Sequence, residues 1–163
     1  MALELRTLTV TGAVLRQFEQ GATNRLAVTG PWGSAKTAIA FQTAQALDTS
    51  LLVVTPGRIE AEAAFEDLCT FAGEDRCALF PAWEVLPTDV MDPADDIVAE
   101  RMDTLRRMAA AMDRKEPVYI VASIRALLQH VVGREQLIDQ CLPLSTGDEH
   151  DMEDLLARLV SMG

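Results

Sequence analysis

The stretch Arg25-Leu26-Ala27-Val28-Thr29-Gly30-Pro31-Trp32-Gly33-Ser34-Ala35-Lys36-Thr37 decides the reading of this chain: a short apolar run enters a glycine-containing turn and then a helix. The phosphate-binding pattern G-x-x-x-x-G-K-[ST] places backbone N–H groups around phosphate oxygens, a lysine on the outer phosphates and a hydroxyl on magnesium. Gly30, Lys36 and Thr37 fit it, with Gly33 and Ser34 inside the turn. The sixth position, where the pattern asks for glycine, is Ala35, and its methyl group sits where the backbone should come closest to a phosphate. The helix over 35–47 would still aim its N-terminus at the turn, which favours anions. Gly30, Gly33, Ser34, Ala35, Lys36 and Thr37 are therefore the candidate nucleotide site, a degenerate one. Two readings stand side by side, weak ATP or ADP binding and a turn kept for packing, and Ala35 tilts the balance towards packing.

Working outward from the turn, helical and strand patterns alternate. Residues 8–20 carry Leu8, Val10, Val14, Leu15 and Phe18 at helical spacing, and 25–29 reads as the first strand. Leu51-Leu52-Val53-Val54 is a continuous apolar strand, the kind expected where helices cover both faces of a parallel sheet. A surface helix over 58–71 and a strand over 77–80 follow. Pro81, Pro87 and Pro93 make 81–93 a structured loop holding Trp83 and Glu84. The spacing of Ile97, Arg101, Leu105 and Met108 predicts a helix over 95–112. Residues 118–122 read as the fourth strand, with Ser123 as N-cap of a helix over 124–130. This alternation is the pattern of an α/β domain with a doubly wound parallel sheet.

Past Gly133 the pattern changes. Residues 140–144 read as a strand, 145–147 as a turn and 149–162 as an acidic helix with Met152, Leu155, Leu156, Leu159 and Val160 on one face. One strand and one helix cannot bury that face. The expected organisation is thus a domain over 1–135 and the start of a second, α+β domain over 136–163, cut off at Gly163.

Composition bounds the function. Hydrophobic content of 49% excludes disorder, and a net charge of -11 argues against wrapping nucleic acid, which needs clustered Lys and Arg. Lys36 and Lys115 are the only lysines, and one lies in the turn. No apolar run approaches the roughly 20 residues of a membrane span, and the N-terminus does not read as a secretory signal, so the expected location is cytoplasmic, away from membranes. Cys69, Cys77 and Cys141 lack C-x-x-C spacing, His130 and His150 are isolated, and no metal site is indicated. Nucleotide hydrolysis needs an acid at the end of a strand neighbouring the turn to hold magnesium and orient water. The expected strands end instead in Thr55-Pro56, Pro81 and Ser123. No catalytic residue is assigned.

Several segments follow one another in a particular order: Lys36-Thr37 after a strand; Leu51-Leu52-Val53-Val54-Thr55-Pro56; Phe80-Pro81-Ala82-Trp83-Glu84-Val85-Leu86-Pro87; Asp95-Asp96-Ile97-Val98-Ala99-Glu100-Arg101; and Val121-Ala122-Ser123-Ile124-Arg125-Ala126-Leu127-Leu128-Gln129. This resembles the N-terminal, UvrB-like region of bacterial transcription-repair coupling factors, the Mfd family. The F-P-x-W-E-x-L-P segment and the D-I-x-x-E-R helix are the specific part, whereas the turn and the V-A-S strand are shared with UvrB and superfamily 2 helicases.

The resemblance implies a RecA-like (P-loop NTPase-like) lobe without a working ATPase, followed by the beginning of an inserted UvrA-recruiting domain. It implies that the parent protein is an ATP-dependent, helicase-like DNA translocase acting on double-stranded DNA and on stalled RNA polymerase in nucleotide excision repair. The module itself would serve UvrA recruitment and autoinhibition. The reading it competes with is a small P-loop NTPase, or a helicase first lobe, that binds nucleotide weakly. In the position of the UvrB β-hairpin this chain has only the proline-rich loop, so strand separation is not implied.

Overall fold

Three parallel strands organise the larger part of the chain. The computed structural model describes residues 9–19, 25–85, 92–139, 141–142 and 144–162. The strands are β1 (Leu51–Thr55), β2 (Cys77–Phe80) and β3 (Tyr119–Ser123), in the order β1-β3-β2. Leu51 lies opposite Tyr119 and Val53 opposite Val121, while Cys77 and Phe80 register with Tyr119 and Ala122. β3 is buried at every residue because it has a strand on each side and helices above and below.

Helices α1 (Thr9–Glu19), α2 (Ala35–Ala46), α3 (Arg58–Ala72), α4 (Asp95–Arg114) and α5 (Ile124–Leu127) surround it. Side chains alternate across a strand, so the two faces draw on different residues. On one face Tyr119, Val121 and Cys77 pack with Phe41 and Ala44 of α2 and with Ala61, Ala64 and Leu68 of α3. The Phe41 ring meets Tyr119 edge-on at 5.3 Å between centroids. On the other face Phe80, Ile120 and Ala122 pack with Ala126 of α5 and Leu105 of α4. α1 is fixed to α2 by a buried hydrogen bond that Thr11 Oγ1 donates to Gln42 Oε1 at 2.8 Å. α3 stops at Gly73, whose φ of 90° is a glycine conformation, and α4 stops at Lys115 in the left-handed region.

An α/β domain with a small parallel sheet and helices on both faces is thus present. Several elements differ from the sequence reading. Residues 25–29, expected as the first strand, form no strand and pair with none of the three. A strand exists only where a neighbour offers its N–H and C=O groups, and no described strand stands beside this run; its Leu26 and Val28 are left exposed. The helix expected over 124–130 is only the single turn α5.

The chain divides into two compact units, Met1–His130 and Val131–Gly163. The second contains α6 (Arg134–Asp139), which the sequence reading did not anticipate, and α7 (Met152–Met162). Of the strand expected over 140–144, Gln140 and Pro143 lie outside the described residues, and Cys141, Leu142 and Leu144 are not in a strand. The turn at 145–147 is present, closed by the Asp148 N–H on the Ser145 carbonyl at 3.1 Å. α7 begins later than the sequence pattern because Asp151 Oδ1 caps it, accepting from the N–H groups of Glu153 and Asp154. Met152, Leu156, Leu159 and Val160 stay exposed along it.

Candidate functional site

In a parallel α/β sheet, ligands are received at the carboxyl ends of the strands. Here those ends are Thr55-Pro56-Gly57, Phe80-Pro81-Ala82-Trp83 and Ser123-Ile124. α2 reaches β1 through the short turn at 47–50 and packs against the same face of the sheet. The helix therefore runs back against the strand, and its N-terminus, with the Gly30 to Thr37 turn, points towards this end.

The turn keeps its six candidate residues in sequence, but their geometry is that of a tightly wound helix entry. The Ala35 N–H donates to the Trp32 carbonyl at 3.2 Å and the Lys36 N–H to the Gly33 carbonyl at 3.3 Å. The Ala38 N–H goes to the Ser34 carbonyl at 2.9 Å. Two of the amides that a phosphate would need, those of Ala35 and Lys36, are committed to the turn itself. Gly30 and Gly33 have φ of 99° and 53°, which explains glycine at both, and a Cβ at either would meet no atom within 4 Å, so nothing crowds in around them. The Lys36 side chain is exposed and bonds to no described residue, Thr37 is buried, and Trp32 is 89% exposed.

Polar groups at the strand ends are likewise consumed locally. Thr55 Oγ1 donates to the Gly57 carbonyl at 2.9 Å, and Ser123 Oγ caps α5 by accepting from the Ala126 N–H at 3.3 Å. No described strand ends in an acid, and no cluster of metal-ligating side chains occurs among the described residues.

The built part of this edge lies around Arg101. Its side chain is 1% exposed, although it is a cation in the apolar stripe of α4. The guanidinium is held between two rings, 4.1 Å from the centroid of Phe80 and 4.3 Å from that of Trp83. Nη1 donates to the Pro81 carbonyl at 2.6 Å and, at 3.4 Å, to Gln129 Oε1; Nη2 donates to the His130 carbonyl at 3.4 Å. Gln129 in turn pairs with the backbone of Trp83, accepting from its N–H at 2.7 Å and donating to its carbonyl at 3.2 Å. Burial lowers the pKa of Arg101, yet an arginine stays charged at any ordinary pH. Its charge is met by carbonyl dipoles and ring faces, and its Nε is buried without a partner among the described residues.

Phe80, Pro81, Trp83, Arg101 and Gln129 come from three segments far apart in sequence and meet in this one clasp. They are also residues of the segments that carried the family resemblance. α5 stops before Gln129 and His130, which serve the clasp through the Gln129 side-chain amide and the His130 carbonyl. The sequence reading placed Phe80 and Trp83 in a family segment and did not foresee that their partner is a charge. Arg101 standing in register with Ile97 and Leu105 was the available signal.

No protein-family model matches the chain. Over 163 residues it is 34% identical to the transcription-repair-coupling factors of Mycobacterium bovis and Mycobacterium tuberculosis, a match that takes in 98% of this chain and 13% of theirs. The chain is similar to transcription-repair-coupling factors. The factor of Staphylococcus aureus is 28% identical over 137 residues, 83% of this chain and 11% of that protein. This chain thus spans about one eighth of the length of the mycobacterial relatives it matches. Among its described residues, no helix is long and apolar enough to cross a membrane.

Proposed function

We propose that this chain is the non-catalytic, UvrB-like module of a transcription-repair coupling factor, with a RecA-like lobe. Its role is in transcription-coupled nucleotide excision repair in the cytoplasm. The observation that carries this reading is the Arg101 clasp: the most specific residues of the family resemblance are the ones most fully built into structure, while the phosphate-loop residues are not. Sequence similarity to the coupling factors over nearly the whole chain supports it independently.

On this reading the ATP-dependent translocase activity, RNA polymerase contact and binding of double-stranded DNA belong to the rest of the protein. UvrA recruitment runs through the domain to which residues 136–163 contribute, and the module helps hold the resting protein inactive. The exposed face of α7, with Leu156, Leu159 and Val160, is consistent with a domain that these residues do not complete. A pull-down of UvrA with residues 1–163, and with a polypeptide extended by about 50–100 residues, a small domain, tests this. The longer polypeptide is expected to bind and the shorter to bind far more weakly; equal binding would move the recruiting surface to the α/β unit.

The competing reading, weak ATP or ADP binding by Gly30, Gly33, Ser34, Ala35, Lys36 and Thr37, keeps the support of Lys36 and Thr37 in sequence and of the α2 N-terminus beside them. Against it stand the committed N–H groups of Ala35 and Lys36.

A further inference from the structure

The end of the sheet where the strands begin, opposite the Gly30 to Thr37 turn, carries a different kind of surface. A cleft of about 590 Å³ opens there between the short helical turn Glu74–Arg76 that precedes β2, the second half of α4 and the Pro117-Val118 entry to β3. Arg76, Arg106, Arg107 and Arg114 line it, against the acids Asp75 and Glu116. In a chain of net charge -11 with 14 Lys and Arg residues in all, positive charge is gathered here against the sign of the whole.

Two of these arginines are fixed in place. Arg76 Nη2 donates to the Tyr119 hydroxyl at 3.0 Å, and its guanidinium lies over the Tyr119 ring, 4.9 Å from the centroid. Arg107 Nη1 donates to the Cys77 carbonyl at 3.2 Å and Nε to Asp103 Oδ2 at 2.6 Å. Cys77 registers with Tyr119, so both guanidinium groups are anchored at the same rung of the sheet. Arg76 Nε and Nη1 and Arg107 Nη2 bond to no described residue. Arg106 takes the other oxygen of Asp103 at 2.7 Å, so one carboxylate answers two cations. Arg114 stands 3.7 Å from Glu116, beyond hydrogen-bond length. The carboxyl end of α4 favours a cation in its last turn, which accounts for Arg114. It does not account for Arg106 and Arg107, about two turns earlier, or for Arg76, which comes from another element.

We propose that this cleft binds the phosphate or pyrophosphate group of a small anionic ligand. An arginine fork meets phosphate oxygens in pairs, and a tetrahedral phosphate can meet several forks at once where a carboxylate meets one. Ala110, Ala111, Pro117 and Val118 give the cleft low-dielectric walls that focus the field of the guanidinium groups into it. A nucleic-acid strand needs basic groups continued along its length, and a net charge of -11 repels it, so the ligand is small. The site depends neither on the coupling-factor reading nor on Lys36.

Inorganic pyrophosphate, titrated into isotope-labelled residues 1–163 and followed by amide chemical shifts, tests it. The amides of Arg76, Cys77, Arg107 and Glu116 are expected to move saturably, with a dissociation constant of about 1 mM or below, while those of Gly33 to Thr37 stay in place. Arg76→Gln combined with Arg107→Gln should weaken binding at least about tenfold. Because Arg107 also holds the Cys77 carbonyl, the exposed pair Arg106→Gln and Arg114→Gln provides a second variant, expected to melt like the parent chain and to bind about threefold more weakly. Lys36→Ala should leave binding unchanged. Adenosine diphosphate binding more tightly than pyrophosphate at the same amides would make the ligand a nucleotide, and equal binding would make it the phosphate group alone. Absence of saturable shifts in the cleft, or shifts that vanish with Lys36→Ala and not with the arginine variants, overturns the proposal. So does tighter binding there by a single-stranded oligonucleotide or by a glutamate-rich peptide, which would assign the cleft to a macromolecule.

Discussion

The Arg101 clasp and the Gly30 to Thr37 turn both stand towards the carboxyl end of the sheet, and both are made of motif residues, but only one is built. At the clasp a buried cation is gripped by two rings, two backbone carbonyls and a glutamine amide. At the turn the lysine side chain is free in solvent, the tryptophan is almost wholly exposed, and the Ala35 and Lys36 amides close on the turn itself. A motif states which residue types are present; burial and hydrogen bonding state which of them the fold has organised. That difference is why a non-catalytic module is the better reading.

The largest expected effect that sharpens this contrast is on stability. Arg101→Ala opens a cavity between Phe80 and Trp83 and leaves the Pro81 and His130 carbonyls without their donor, a loss of about 2–4 kcal/mol by chemical denaturation. Arg101→Lys should recover only part of it, because a lysine cannot stack flat between two rings. Lys36→Ala should change stability by no more than about 0.5 kcal/mol, as surface substitutions do. A reversed order would break the comparison.

Next in size is Gln129→Ala, which strips the Trp83 backbone of both its amide partners and should cost about 1–2 kcal/mol. Fluorescence of Trp83, read in a Trp32→Phe background, should shift towards that of an exposed indole. An unchanged spectrum would mean that the rings hold the loop without the glutamine.

The effect that is smallest near neutral pH concerns the alkaline range. Burial pushes the Cys77 thiol up to about 12, so the folded state holds it neutral. A folded-state pKa raised above the unfolded value of about 8.5 gives stability that is complete below that value and is lost as pH rises through the folded one. The stability curve should therefore decline between about pH 8.5 and 12, and Cys77→Ala should flatten that limb. Alkylation at pH 8 should label exposed Cys141 well before buried Cys77. An unchanged alkaline limb in Cys77→Ala would remove the thiol as its cause.

Much of the fold was legible because burial writes itself into sequence. The apolar runs at Leu51, Cys77 and Tyr119 are strands, and the stripe from Ile97 to Leu105 is the face of α4. The failure at 25–29 is instructive in the same terms. That run has strand composition, but a strand is a relation between two backbones, and no described strand supplies the second. α5 stops before Gln129, and the pairing of Gln129 with Trp83 was hidden because it is tertiary. Of the candidate site, the sequence announced the identities at the turn but not the closure of the Ala35 and Lys36 amides, which is a matter of backbone geometry. Arg101 was named in the helical spacing and in a motif, but not as a site residue, and its place among apolar positions was the legible hint of burial.

The most direct test of the central claim is a titration of residues 1–163 with a fluorescent ATP analogue and magnesium, followed by a phosphate-release assay. The account predicts at best weak binding and no turnover, with Lys36→Ala indistinguishable from the parent chain. Tight binding that Lys36→Ala abolishes, accompanied by magnesium-dependent turnover, would contradict it.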